Sequence, residues 1–180
     1  MPALERSATV LVVVDMINPM RFPGASGLVQ TALPAAHACA ALKKKLTRRG
    51  CTTVYANDNY GRWRSDFKQL LLACQTLPGA RGEIAQLLAP AEDDLTLLKP
   101  LHSAFHATPL EHLLAQMHTR ELVVVGVATD MCVQLTAMDA YMRGYKVWVP
   151  SNCTAAQSQE RKDIALHQLR HVFKCSVRKA

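Results

Sequence analysis

With 180 residues, 49% of them hydrophobic and 19% charged, the chain can bury one sizeable core and is short for two, so a single domain over residues 1–180 is expected. No run approaches the roughly 20 apolar residues that span a bilayer and no basic-then-apolar leader opens the chain, which argues against a membrane partner and for a soluble, cytoplasmic protein. The net charge of +7 raises nucleic acid as a partner, but Lys43, Lys44, Lys45, Arg48 and Arg49 share one helical stretch whose other face has core spacing, and a solvated helix face accounts for them.

Apolar runs bounded by turn residues alternate with amphipathic stretches, the pattern of an α/β domain around a mainly parallel sheet. Six strands are predicted, at Thr9–Val14, Thr53–Ala56, Leu95–Leu98, Leu122–Val125, Lys146–Val149 and Phe173–Val177. Helices are predicted between them, at Pro34–Arg48, Ser65–Leu77, Pro109–His118, Asp130–Arg143 and Gln157–His171, with a short one near Glu83–Leu88. Thr108-Pro109-Leu110-Glu111 is the clearest helix start: a capping Thr, then Pro at the first helical position and Glu at the third.

In an open parallel sheet, chemistry gathers beyond the carboxyl ends of the strands. The residues there are polar: Asp15 after the first strand, Asn57 and Asp58 after the second, Lys99 after the third, Cys132 shortly after the fourth, Ser151 and Asn152 after the fifth. Cys132 falls in the first turn of a predicted helix, where unpaired N–H groups and the helix dipole lower a thiol pKa and can hold an oxyanion. Asp15 can take the thiol proton and return it to a leaving amine, and Lys99 favours the thiolate and orients Asp15. Asp130 is expected to cap the helix and point away from the sulfur.

Each of these residues also has a plainer reading. Cys132 alone is a small core thiol, and Lys99 alone is a solvated strand end. Cys153 is a competing nucleophile without a helix start after it. The six cysteines form no CxxC pair and no zinc-type spacing, and read as reduced thiols. Position 138 is Met138 where a phosphatase loop needs arginine, and neither a Gly-rich phosphate loop nor a GxSxG elbow is present. His102 and His106 flank Ser103-Ala104-Phe105 in a loop and read as surface or hydrogen-bonded histidines.

Four segments carry a family resemblance: VVVDMIN around Asp15, YANDNYGRWRSDF from Tyr55 to Phe67, LLKPLHSAF around Lys99, and GVATDMCVQLTAMDAYMRGY around Cys132. The chain resembles the isochorismatase-like cysteine hydrolases over nearly its whole length. That resemblance implies a three-layer, Rossmann-like fold, Asp15, Lys99 and Cys132 as a catalytic triad, a cis peptide between Val127 and Ala128, an oxyanion hole from the backbone N–H groups of Ala128 and Cys132, and a homo-oligomer. Nicotinamidases of the family carry an Asp-x-His metal motif after the second strand; here Asn57-Asp58-Asn59-Tyr60-Gly61 stands in its place, so no metal is expected. True isochorismatases replace the nucleophilic cysteine, so Cys132 points to the amide-cleaving branch: a C–N bond of a small amide, ureide or lactam, cleaved through a thioester without a cofactor.

The substrate pocket is expected to be bordered by Asn57, Asp58, Asn59 and Trp63, with Phe22 and Phe105 as apolar walls. Trp63 can equally be a packed loop anchor, and Arg62 and Arg64 can be solvated or can hold a substrate carboxylate. Two rival classes remain open: a non-catalytic binding module of the same fold, and a redox-sensing thiol with Cys153 as its resolving partner.

Overall fold

A computed structural model describes residues 4–61 and 66–180. Five apolar segments form parallel strands, β1 (Thr9–Val14), β2 (Thr52–Asp58), β3 (Leu95–Lys99), β4 (Glu121–Val127) and β5 (Lys146–Trp148), and a two-residue β6 (Thr154–Ala155) pairs with the end of β4. Their order across the sheet is β3-β2-β1-β4-β5. The helices are α1 (Ala25–Thr47), α2 (Phe67–Gln75), α3 (Ala80–Leu87), α4 (Leu110–Gln116), α5 (Gln134–Met142) and α6 (Gln159–His171).

The strands read as continuous apolar runs because both faces of the sheet are covered. Along β1, Leu11 and Val13 join the core beneath α1, α2 and α3, while Val10, Val12 and Val14 join the core beneath α4, α5 and α6. The result is three layers, helix on sheet on helix. Each buried Val or Leu of these strands contributes about 1.5–3 kcal/mol of transfer free energy. β1 sits centrally, with Val12 opposite both Val54 and Val124. The chain builds outward from it through β2 and β3, then returns to place β4 on its other side. This reversal opens a crevice beyond the carboxyl ends of β1 and β4.

Several boundaries differ from expectation. The segment Phe173–Val177 is not a strand; Ser176 makes a single bridge to Trp148 after Lys174 turns through a left-handed φ of 54°. The sixth strand is instead Thr154–Ala155, too short for a periodic signal. Helix α1 begins nine residues before Pro34, which lies within it. Pro34 and Gln30, whose carbonyl loses its helical donor there, both lie on the exposed face, where water can satisfy that oxygen. Strand β4 runs through Gly126 to Val127 because Gly126 is what lets it pass β1: a Cβ there would lie 2.0 Å from the Val14 carbonyl oxygen, and the backbone has φ +120°. Among the described residues no helix is long and apolar enough to cross a membrane.

Candidate active site

Three strand ends converge in the crevice. Asp15 follows β1 with a left-handed φ of 50°, its N–H donating to the Ala56 carbonyl at 3.0 Å. Aspartate tolerates that region better than most residues, and the turn carries the carboxylate toward β2 and β3. Lys99 is the last residue of β3 and is fully buried. Its Nζ lies 2.8 Å from Asp15 Oδ2, while Asp15 Oδ1 accepts the Asp58 N–H at 2.8 Å. Lys99 Nζ also lies 3.6 Å from Cys132 Sγ, and the Asp15 carboxylate is within hydrogen-bond reach of the same thiol. Asp15, Lys99 and Cys132, which lie on three separate segments, are thus one cluster.

Cys132 is held by a π-helical turn, Thr129–Val133, that precedes α5. The Val127–Ala128 peptide entering this turn is cis. The Ala128 carbonyl accepts from the N–H groups of Met131 and Val133, at 3.1 and 3.2 Å. No side chain caps the turn. Asp130, expected as the cap, instead pairs through Oδ2 with Arg161 Nε at 2.6 Å, and so is turned to α6 rather than to the sulfur.

The electrostatics differ from expectation at the thiol. Burial and the neighbouring Asp15 carboxylate push Cys132 up to about 12, although Lys99 pulls it down. The helix-start reading counted the Lys99 charge but not the burial that raises the thiol. At rest the sulfur therefore carries its proton. Burial pushes Asp15 up as well, against the opposing pull of Lys99. For Lys99 burial acts to lower the pKa, but Asp15, Cys132 and Asp58 together more than offset it, and the ammonium stays charged. An acid and a thiol, both raised by burial, thus lie beside a fixed positive charge, and one proton can pass between them.

A cavity of about 300 Å³ opens onto the sulfur, lined by Asp15, Asn18, Phe22, Leu28, Asp58, Tyr60, His102, Val127, Ala128, Met131, Cys132, Gln157 and Arg161. Of the expected pocket residues, Phe22 and Asp58 lie here. Asn59 lies in an adjoining hollow of about 500 Å³ that shares Asn18, Phe22, Asp58 and Tyr60 with the first. Asn57 and Phe105 are corrections. Asn57 is fully buried and donates through Nδ2 to the Ile17 carbonyl at 2.6 Å, because strand alternation turns it away from the crevice. Phe105 is 5% exposed, packed in the core beside Tyr145 and under the Arg143 guanidinium. Trp63, Arg62 and Arg64 lie outside the described residues.

His102, expected as a surface or hydrogen-bonded histidine, is exposed and has its Nδ1 3.6 Å from Cys132 Sγ. The available signal was its place three residues after Lys99. Gln157 and Arg161 reach the cavity from the far end of the chain, with no local signal. Among the described residues no group of three or more His, Cys, Asp or Glu is arranged to hold a metal ion, and Asp58 Oδ1 accepts the Tyr60 N–H at 2.6 Å.

The isochorismatase domain model matches residues 9–177. An uncharacterized isochorismatase family protein, YaaI of Bacillus subtilis, is 32% identical over 170 residues, 94% of this chain and 93% of that protein. The ureidoacrylate amidohydrolase RutB of Methylorubrum extorquens is 39% identical over 84 residues, 47% of this chain and 33% of that protein. Among solved structures, N-carbamoylsarcosine amidase from Thermoplasma acidophilum superposes with a TM-score of 0.70 at 25% identity, covering 95% of each chain.

Proposed function

Because the chain belongs to the isochorismatase family, we propose that it is a cysteine hydrolase that cleaves the C–N bond of a small amide, ureide or lactam through a thioester on Cys132. The observation that carries this reading is the buried ion pair of Asp15 with Lys99 at 2.8 Å and the half-buried contact of Lys99 with Cys132 at 3.6 Å, beside a cavity of about 300 Å³ that Asp15 and Cys132 line. Amide cleavage is also the activity named for ureidoacrylate amidohydrolase and N-carbamoylsarcosine amidase.

In the proposed cycle, Asp15 takes the thiol proton as Sγ attacks the carbonyl carbon. The N–H groups of Ala128 and Cys132 receive the oxyanion, and Lys99 stays protonated throughout. Asp15 then gives its proton to the nitrogen as the C–N bond breaks, leaving the acyl group on sulfur. Water next loses a proton to Asp15 and attacks the thioester; the C–S bond breaks and Asp15 returns the proton to Cys132. The raised thiol pKa suits this order, because the sulfur holds its proton until a neighbouring base takes it. Asp58, Asn18 and Tyr60 supply polar contacts at the mouth, and Phe22, Leu28 and Met131 supply apolar ones.

The redox-sensor reading is disfavoured by the position of Cys153, which is fully buried and has its carbonyl bonded by the Cys39 thiol at 3.1 Å. The test is intact-mass spectrometry of wild type and Cys132→Ala after brief incubation with small amides, ureides and lactams. A substrate-sized acyl adduct on the wild type, absent from Cys132→Ala, is the expected result. A thiol that forms no adduct and also resists alkylation would overturn the reading in favour of a non-catalytic module.

A further inference from the structure

Cys132 has a neighbour that the proposed cycle does not use. The His102 imidazole approaches Sγ through Nδ1 at 3.6 Å, and it lines the cavity mouth, whereas Lys99 and Asp15 are buried. The next two residues of the chain fix its position. Ser103 Oγ bonds the Asp139 carboxylate and Thr136 Oγ1 accepts the Ala104 N–H at 3.0 Å, so residues 103 and 104 are pinned to α5. Lys99 anchors the other end of the same short loop through its ion pair. An exposed histidine tethered in this way is held at the sulfur by both flanks.

We propose that His102 is a second proton acceptor for Cys132, a catalytic residue that acts on the thiol from the solvent side while Asp15 acts from within. This rests on the cysteine-hydrolase reading and deepens it. Neutral His102 with Nδ1 unprotonated takes the proton of S–H; the products are a thiolate and an imidazolium, with total charge and proton count unchanged. The imidazolium then places a second cation beside the sulfur, opposing the Asp15 carboxylate that otherwise disfavours the thiolate. The other titratable or charged groups facing the sulfur and the ring are Asp15 after β1, Asp58 at the end of β2, Tyr60 just beyond it, Lys99 on β3, and Arg161 on α6 with its partner Asp130. Of these, Asp15 and Lys99, with His102 itself, come within reach of Sγ among the described residues.

The experiment needs no substrate. Alkylation of Cys132 by neutral iodoacetamide is monitored by peptide mass spectrometry from pH 5 to 9, in wild type, His102→Asn, Asp15→Asn and the control His106→Asn. Asparagine keeps a hydrogen-bonding group near the Nδ1 position without titrating, so it separates proton transfer from simple positioning. In wild type, Asp15→Asn and His106→Asn, the rate should rise with pH through an inflection. In His102→Asn, with an unchanged melting temperature, that inflection should vanish and the rate at neutral pH fall by about tenfold or more. An inflection that persists in His102→Asn, or that vanishes in Asp15→Asn instead, overturns the role of His102 and leaves the hydrolase reading standing. A wild-type Cys132 inert at every pH overturns both.

Discussion

Replacing Lys99 with Met removes the cation from a contact of 2.8 Å between side chains that are 0% and 5% exposed. Methionine keeps much of the volume, so the change is mainly one of charge. Coulomb's law at an effective dielectric of about 20 assigns such a pair about 6 kcal/mol. The measurable loss is smaller, about 3–5 kcal/mol, because Asp15 can bind a proton rather than remain an unpaired buried anion. For a chain of this size that is a fall in Tm of about 6–20 °C. The deficit should also depend on pH. Burial already raises Asp15, and removing the Lys99 cation that lowers it raises the folded pKa further above the unfolded value. A group raised on folding contributes stability that is fully present below its unfolded pKa and lost as pH rises through its folded pKa. The deficit should therefore be small below the ordinary carboxylate range and grow as pH rises above it. Urea unfolding monitored by circular dichroism at several pH values measures it, alongside the double variant Asp15→Asn/Lys99→Met. The double variant has no buried charge and should recover most of the loss without regaining hydrolase activity. Equal deficits in single and double variants, or a single-variant deficit that grows as pH falls, would refute the electrostatic account of this pair.

Two further outcomes are expected from the same structure. Gly126→Ala places a Cβ 2.0 Å from the Val14 carbonyl oxygen at a φ of +120°; it should force β4 away from β1 and cost about 3 kcal/mol or more, read as insoluble expression or a lowered Tm. At alkaline pH, the Cys132 thiol, raised from 9.0 to about 12, stays protonated in the native state while the unfolded thiol ionises. Stability from this group is present below about pH 9 and declines by about 4 kcal/mol as pH rises through the folded value. Tm against pH should therefore fall more steeply above pH 9 in wild type than in Cys132→Ser, and parallel curves would contradict the raised thiol.

The strands that build the site were legible because a parallel strand covered on both faces needs an unbroken apolar run, and residues 9–14 and 122–125 supply one each. The polar residue that closes each run was equally visible, which is why Asp15, Lys99 and Cys132 could be assembled before any coordinates. Asn57 and Phe105 were misplaced for a common reason. Nearness in sequence to Asp58 and Lys99 says nothing about which way a side chain points, and strand alternation and core packing turned both away from the cavity. The strand expected at Phe173–Val177 was apolar enough to qualify, yet it meets β5 at one residue only, while Thr154–Ala155 pairs with β4 on two residues that carry no pattern.

By itself, the order of residues determined the class of fold, the three chemical groups and the strand ends that present them, since all of these derive from local hydrophobic periodicity and from the residues that terminate it. The protonation of those groups was decided only in three dimensions. A helix start beside a lysine predicts a lowered thiol pKa; folding adds burial and the Asp15 carboxylate, 117 residues earlier in the chain, and the balance reverses. The same holds for Gln157 and Arg161, which reach the cavity wall through the path of the chain rather than through any local motif. Electrostatic energies depend on distance and on excluded water, and both are properties of the packed molecule.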